Sequence, residues 1–200
     1  MNKPHQRYSC TLLLLAITCV GTVMLGSGCA GVVVGSAATS AVVASDERTT
    51  GTVVEDQSIE LKALDQLRAN ASIKTQTHVS VTSYNQIVLV TGQAPTEELR
   101  AEAIRIVSQV EKVRHVYDEV ELAAPNSLAT RSADSLITIK VKTKLFTLDD
   151  IDATRVKVVT ENGVVFLMGI LPKAEADAAA EAASLVGGVR KVVKLFEYRG

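Results

Sequence analysis

Tryptophan is absent, and three phenylalanines and four tyrosines are the whole aromatic complement. Any core must therefore be built from valine, alanine, leucine and isoleucine. The cysteines are Cys10, Cys19 and Cys29, and none follows. A disulfide framework is excluded for the rest of the chain, even in an oxidising compartment. The histidines are His5, His78 and His115, with no Cys or second His at metal-ligand spacing. That rules against a zinc site, and no other cofactor is implied. Net charge is −1, which suggests neither a nucleic-acid binder nor an acidic tail. Lys and Arg do not interleave with aromatics as single-strand binding requires.

Charge is also missing locally, with none between Arg7 and Asp46. Lys3 and Arg7 open the chain, an apolar run from Thr11 to Leu25 follows, and Ser27-Gly28 leads into Cys29. A positive start, a short apolar stretch and small residues form a secretory signal. Cysteine directly after the small residues resembles the lipobox of bacterial lipoproteins, in which the bond before Cys is cut and the thiol acylated. The usual large aliphatic residue three before Cys is Gly26 here, with Leu25 one earlier. Cys19 fits less well, because Thr18 precedes it. The alternative is a transmembrane anchor, but Gly21, Gly26, Gly28, Gly31 and Gly35 interrupt a span that needs ~20 apolar residues. By the lipoprotein resemblance, residues 1–28 are signal peptide, and Cys29 is the lipidated N-terminus. Ala30 after it, rather than Asp, implies sorting to the outer membrane, facing the periplasm. Two or more acyl chains hold a protein stably on a bilayer. Residues 29–56, rich in Gly, Ala, Val, Ser and Thr, are expected to form the anchor's flexible tether.

From Gln57 the chain repeats itself. Residues 57–122 recur as 134–198, with 123–133 between them as a linker and the second unit running to 200. Ile87-Val-Leu-Val-Thr-Gly92 falls over Val164-Val-Phe-Leu-Met-Gly169, and Pro95 over Pro172. Val113-x-x-Val116 falls over Val189-x-x-Val192. Each copy opens with a helix: Ile59, Ala63 and Leu67 recur at every fourth position. Two strands follow, joined at Asn85-Gln86 and at Asn162-Gly163; Asn-Gly between apolar strands is a strong hairpin signature. The second strand is apolar at consecutive positions and should be the central one, ended by Gly92 or Gly169. A second helix starts near each proline, and a third strand closes the copy.

This ordered pattern, twice over, resembles the BON domain. Behind a lipobox it is similar to the family of dual BON-domain outer-membrane lipoproteins. The resemblance implies an α+β fold of two tandem αββαβ domains, each a three-stranded sheet on two helices. It also implies a non-enzymatic role in envelope integrity. The second domain would bind anionic phospholipid, phosphatidylglycerol or cardiolipin, at the division site. In copy one the Gly-Val pair usual before strand three is Lys112-Val113.

The residues themselves offer no catalytic constellation. Asp149-Asp150-x-Asp152 could ligate a hard cation, but no Gly or closing Glu completes an EF-hand. Glu97-Glu98 is first-turn charge on a helix dipole. Ser127, Ser132 and Ser135 lack a nucleophile-elbow context. What stands out is a difference between the copies. In the helix expected over 136–148, Ile137, Val141, Leu145 and Leu148 form the core stripe. At ~100° per residue, Leu136, Ile139 and Phe146 cluster opposite, with Thr143 among them. Lys140, Lys142 and Lys144 surround them, with no acid. Copy one has Ser58, Leu61 and Arg68 there, around Lys62 and Asp65. Residues 57–124 carry seven Lys/Arg and nine Asp/Glu, against eleven and nine in 131–200. An apolar stripe rimmed by lysine suits an interfacial helix. The phospholipid-binding set is therefore Leu136, Ile139, Lys140, Lys142, Thr143 and Phe146. The same stripe could instead pack on the first domain or dock an envelope protein as an adaptor.

Cys29→Ala should abolish acylation and leave a signal-bearing precursor or a released protein. Palmitate labelling and membrane fractionation check this; a mutant that still labels and stays with the outer membrane contradicts the lipobox reading.

Overall fold

A computed structural model describes residues 48–199; Cys29, the signal and most of the tether lie outside the described residues. Residues 45–200 cluster as one compact unit that holds both cores entire. The first domain consists of α1 (Thr50–Ala69), α2 (Ala71–Gln76), β1 (His78–Tyr84), β2 (Ile87–Ala94), α3 (Glu97–Ser108) and β3 (His115–Leu122). The second has α4 (Leu128–Leu145), a 3-10 turn (Ala153–Arg155), β4 (Lys157–Glu161), β5 (Val164–Leu171), α5 (Lys173–Ser184) and β6 (Lys191–Tyr198). The expected αββαβ order holds in both, with α2 as an addition to the first.

Each sheet places the middle strand of the sequence in the middle of the sheet: β1-β2-β3 and β4-β5-β6. The hairpins are antiparallel, and β2 with β3, like β5 with β6, is parallel across the helical crossover. The unbroken apolar runs of β2 and β5 follow from burial on both faces. Val88 and Val90 pack under α1 and α3, and Val165 and Leu167 under α4 and α5. Their neighbours Leu89, Phe166 and Met168 face the other way. With Tyr84 and Leu195 they form a third buried cluster, where the two sheets cover each other.

That contact has a polar border related by rough two-fold symmetry. Asn85 in the first hairpin turn donates to Glu197 of β6, and Asn162 in the second donates to Glu121 of β3. Gln93 and Asn126 both donate to Glu161, and Tyr84 Oη donates to the Arg155 carbonyl. The two Asn–Glu bonds lie toward the edge, while the Gln93–Glu161 and Tyr84–Arg155 bonds are buried and so keep their polar atoms satisfied.

Three details depart from the pattern reading. First, α1 starts at Thr50 and α4 at Leu128, so helix takes in residues read as tether and linker. Thr49 and Ser127 cap the two helices by accepting from Thr52 N and Thr130 N. Secondly, Gly92 and Gly169 lie inside β2 and β5 rather than ending them. A Cβ on Gly92, at φ +118°, would fall 1.8 Å from the His78 carbonyl oxygen; on Gly169 it would be 2.7 Å from that of Arg155. Close backbone approach, not strand termination, requires glycine there. Thirdly, the position before β3 is left-handed in both copies: Lys112 at φ 70° and Gly188 at φ 103°. Lys112 adopts it while its side chain pairs with Glu55.

Each hairpin turn is held from its helix by a buried carboxylate. Asn85 and Gln86 have φ of 52° and 64°, and Asn162 and Gly163 48° and 72°, as two-residue hairpin turns demand. Such turns point adjacent amides inward. Asp56, 1% exposed, accepts from Asn85 N at 2.8 Å and Gln86 N at 2.7 Å, and from Ser83 Oγ and Arg48. Asp134 accepts from Asn162 N at 2.9 Å and Gly163 N at 2.8 Å. Arg114 and Arg190 then donate to the turn carbonyls of Asn85 and Asn162.

Asp134→Ala strands the two turn amides, and an unsatisfied buried donor costs ~1–3 kcal/mol each. Urea unfolding of the unit 45–200 should show a loss of ~2–6 kcal/mol. Exposed Asp149→Ala should stay within ~0.5 kcal/mol. Equal midpoints for the two variants would contradict the clamp.

Candidate membrane-binding face

Helix α4 separates two faces because its apolar residues follow two interleaved periods. Asp134, Ile137, Val141 and Leu145 are buried, and Leu148, just past the helix, is packed against the same core. The opposite side carries Leu136, Ile139 and Phe146, which are 58%, 59% and 64% exposed. Lys140, Lys142 and Thr143 are exposed as well. All six residues expected from the sequence thus stand on one solvent-facing side. Phe146 is the C-cap, its N–H bonded to Lys142 O. Thr143 spends its hydroxyl on the Ile139 carbonyl at 2.9 Å. It therefore offers a methyl rather than a free donor to the stripe.

The stripe does not pack on the first domain. The sheets occupy that interface, which leaves a lipid surface or a partner protein as the destinations open to it.

Pattern reading missed Leu128, which is 74% exposed at the start of α4. Leu128 and Phe146 are eighteen positions apart, a whole number of turns at ~100° per residue, so they share one side across ~27 Å. The available signal was Ser127, a good cap before an apolar period.

The lysines around the stripe differ from Lys173 and Lys194 of the same domain. Lys140, Lys142 and Lys144 meet no carboxylate among the described residues. Lys173 and Lys194 are committed to Asp177, whose carboxyl their hydrogen bonds, Lys173's first, hold down to about 2. In the first domain, α1 exposes only Val54 and Leu61 as large apolar residues on its outer side. Lys62 beside them is paired with Glu111.

Nothing at the stripe resembles a catalytic or metal centre. The acidic turn after it is structural: Asp152 Oδ1 accepts from the Thr154 N–H and hydroxyl and caps the 3-10 turn. Among the described residues no helix is long and apolar enough to cross a membrane.

Comparison with known proteins fits this architecture. Residues 55–124 and 133–200 each match the BON domain family model. The chain is 41% identical over 144 residues to the outer membrane lipoprotein DolP of Haemophilus influenzae, covering 72% of this chain and 75% of that one. It is 40% identical over 144 residues to a 21 kDa hemolysin of Actinobacillus pleuropneumoniae, covering 72% and 74%. It is 30% identical over 141 residues to the osmotically-inducible protein Y of Escherichia coli, covering 69% and 70%. Two matched domains, folded as two αββαβ units on a shared sheet contact, make this chain a member of the BON-domain family of outer-membrane lipoproteins.

Proposed function

We propose that the protein is a non-enzymatic lipoprotein whose second domain lies on anionic phospholipid through the outer side of α4. The observation that carries this is the coincidence of an exposed apolar stripe with three lysines that meet no carboxylate among the described residues. Leu136, Ile139, Thr143 and Phe146 enter the headgroup boundary, while Lys140 and Lys142 reach phosphates on either side. Each Lys near an anionic surface contributes ~1 kcal/mol, and burying each large apolar side chain adds ~1–2 kcal/mol. An acyl anchor at Cys29 keeps the local lipid concentration high, so modest affinity suffices. Phosphatidylglycerol and cardiolipin both supply the charge. Support for envelope integrity at the division site is the wider role that the family resemblance suggests.

Co-sedimentation of the unit 45–200 with phosphatidylglycerol vesicles tests this. Phe146→Glu should weaken binding about tenfold or more, ~1.4 kcal/mol, with stability changed by no more than ~0.5 kcal/mol. Ile137→Glu, on the buried side, should unfold the second domain instead, because it buries an unpaired charge. Normal vesicle binding by folded Phe146→Glu would assign the stripe to a protein partner and end the phospholipid reading.

A further inference from the structure

The first domain carries a groove that neither the lipid face nor the turn clamps account for. It is an open groove of about 410 Å3 where the end of α1, the short helix α2 and the start of β1 meet. Leu64, Leu67, Ile73 and Val79 line its floor. Leu67 and Ile73 belong to the core, and Leu64 and Val79 are half-buried against it. Arg68 and Lys74 stand on the rim, both exposed.

These two cations differ from the rest of their domain. Arg48, Lys62, Arg100, Arg105, Lys112 and Arg114 each meet a carboxylate. Arg68 and Lys74 meet none among the described residues. Each sits in the last turn of its helix, where the dipole favours a cation. That explains the charges but not the half-buried Leu64 and Val79 left between them over the core.

Copy two supplies an internal comparison. Its chain has no counterpart of α2 and runs through the acidic turn instead. Ile151 there is buried in the second core, as Ile73 is in the first. The cleft beside Ile151 is lined by Asp149, Asp150 and Glu181 against Lys144 alone. An apolar floor beside two cations that meet no carboxylate among the described residues is therefore particular to the first domain.

We propose that this groove binds a single-chain anionic amphiphile. Arg68 and Lys74 hold its carboxylate or phosphate head, and Leu64, Leu67, Ile73 and Val79 cover the tail. A guanidinium fork and an ammonium suit such a head through charge-assisted hydrogen bonds. The space falls within the ~300–1,000 Å3 of small-molecule sites. The site is separate from the α4 stripe and does not depend on that stripe meeting a membrane.

Amide chemical shifts of the unit 45–200 test the proposal, titrated separately with lauric acid, lauroyl lysophosphatidic acid, lauroyl lysophosphatidylcholine and inorganic phosphate. Each amphiphile is kept below its micelle concentration. Saturable shifts at Arg68, Ile73, Lys74 and Val79 are expected with lauric acid, with lauroyl lysophosphatidic acid or with both. The tighter of the two identifies the head group. The double variant Arg68→Gln, Lys74→Gln should weaken binding about tenfold or more, and Phe146→Glu should leave it unchanged. The proposal is overturned by absence of saturable shifts, by equal binding of lauroyl lysophosphatidylcholine, by equal shifts with inorganic phosphate, or by normal binding in the double variant.

Discussion

The architecture depends on one constraint: each three-stranded sheet has a second apolar face that its own helices cannot reach. Tyr84 and Leu89 on one sheet and Phe166, Met168 and Leu195 on the other would be exposed if the domains stood apart. Covering one sheet with the other removes both faces from water at once, worth roughly 25 cal/mol per Å2 of apolar surface. The cross-domain bonds Asn85 to Glu197 and Asn162 to Glu121 then fix orientation through the hairpin turns. Those turns are held by Asp56 and Asp134. Helix, turn and domain contact form one connected chain of constraints.

A consequence is that the two copies are alike inside and free to differ outside. Ile59, Ala63 and Leu67 match Ile137, Val141 and Leu145 as the buried stripe. On the outer side Ser58, Leu61 and Arg68 stand where Leu136, Ile139 and Phe146 stand in the second copy. The exchange of Arg68 for Phe146 serves both surfaces. It removes a cation from the stripe of copy two and leaves one on the groove of copy one. The same frame thus carries different outer surfaces in its two copies without disturbing either core.

Much of this was legible in the chain. The fold class came from a repeat with helix and strand periods in fixed order, and those periods report burial directly. The outer stripe of α4 was legible for the same reason: a helix that must bury Ile137, Val141 and Leu145 has to expose Leu136 and Ile139. The hairpin clamps were not. Asp56 and Asp134 are isolated acids at the edge of an apolar period, and only folding brings each to a turn 28–30 residues on. Gly92 and Gly169 were visible but their reason was not, since it lies in the carbonyls of His78 and Arg155. A consecutive apolar run also cannot say what covers its second face. The sister sheet took that place, which released the stripe from the interdomain contact. Leu128 and the start of α1 were missed because small polar residues conceal a helix whose first turn is mostly solvated.

The account's central claim is that the outer side of α4, and not its counterpart on α1, meets the lipid surface. Residues 45–200 contain no cysteine, so single spin labels can be placed without background at Ile139→Cys and, in the matching position of the first copy, at Leu61→Cys. Power-saturation electron paramagnetic resonance with phosphatidylglycerol vesicles reads each label's depth. The account predicts that the label at 139 moves from an aqueous to an oxygen-rich, apolar environment on vesicle addition, while the label at 61 stays aqueous. A label at 139 that remains aqueous on bound protein, or one at 61 that enters the bilayer in its place, would contradict it.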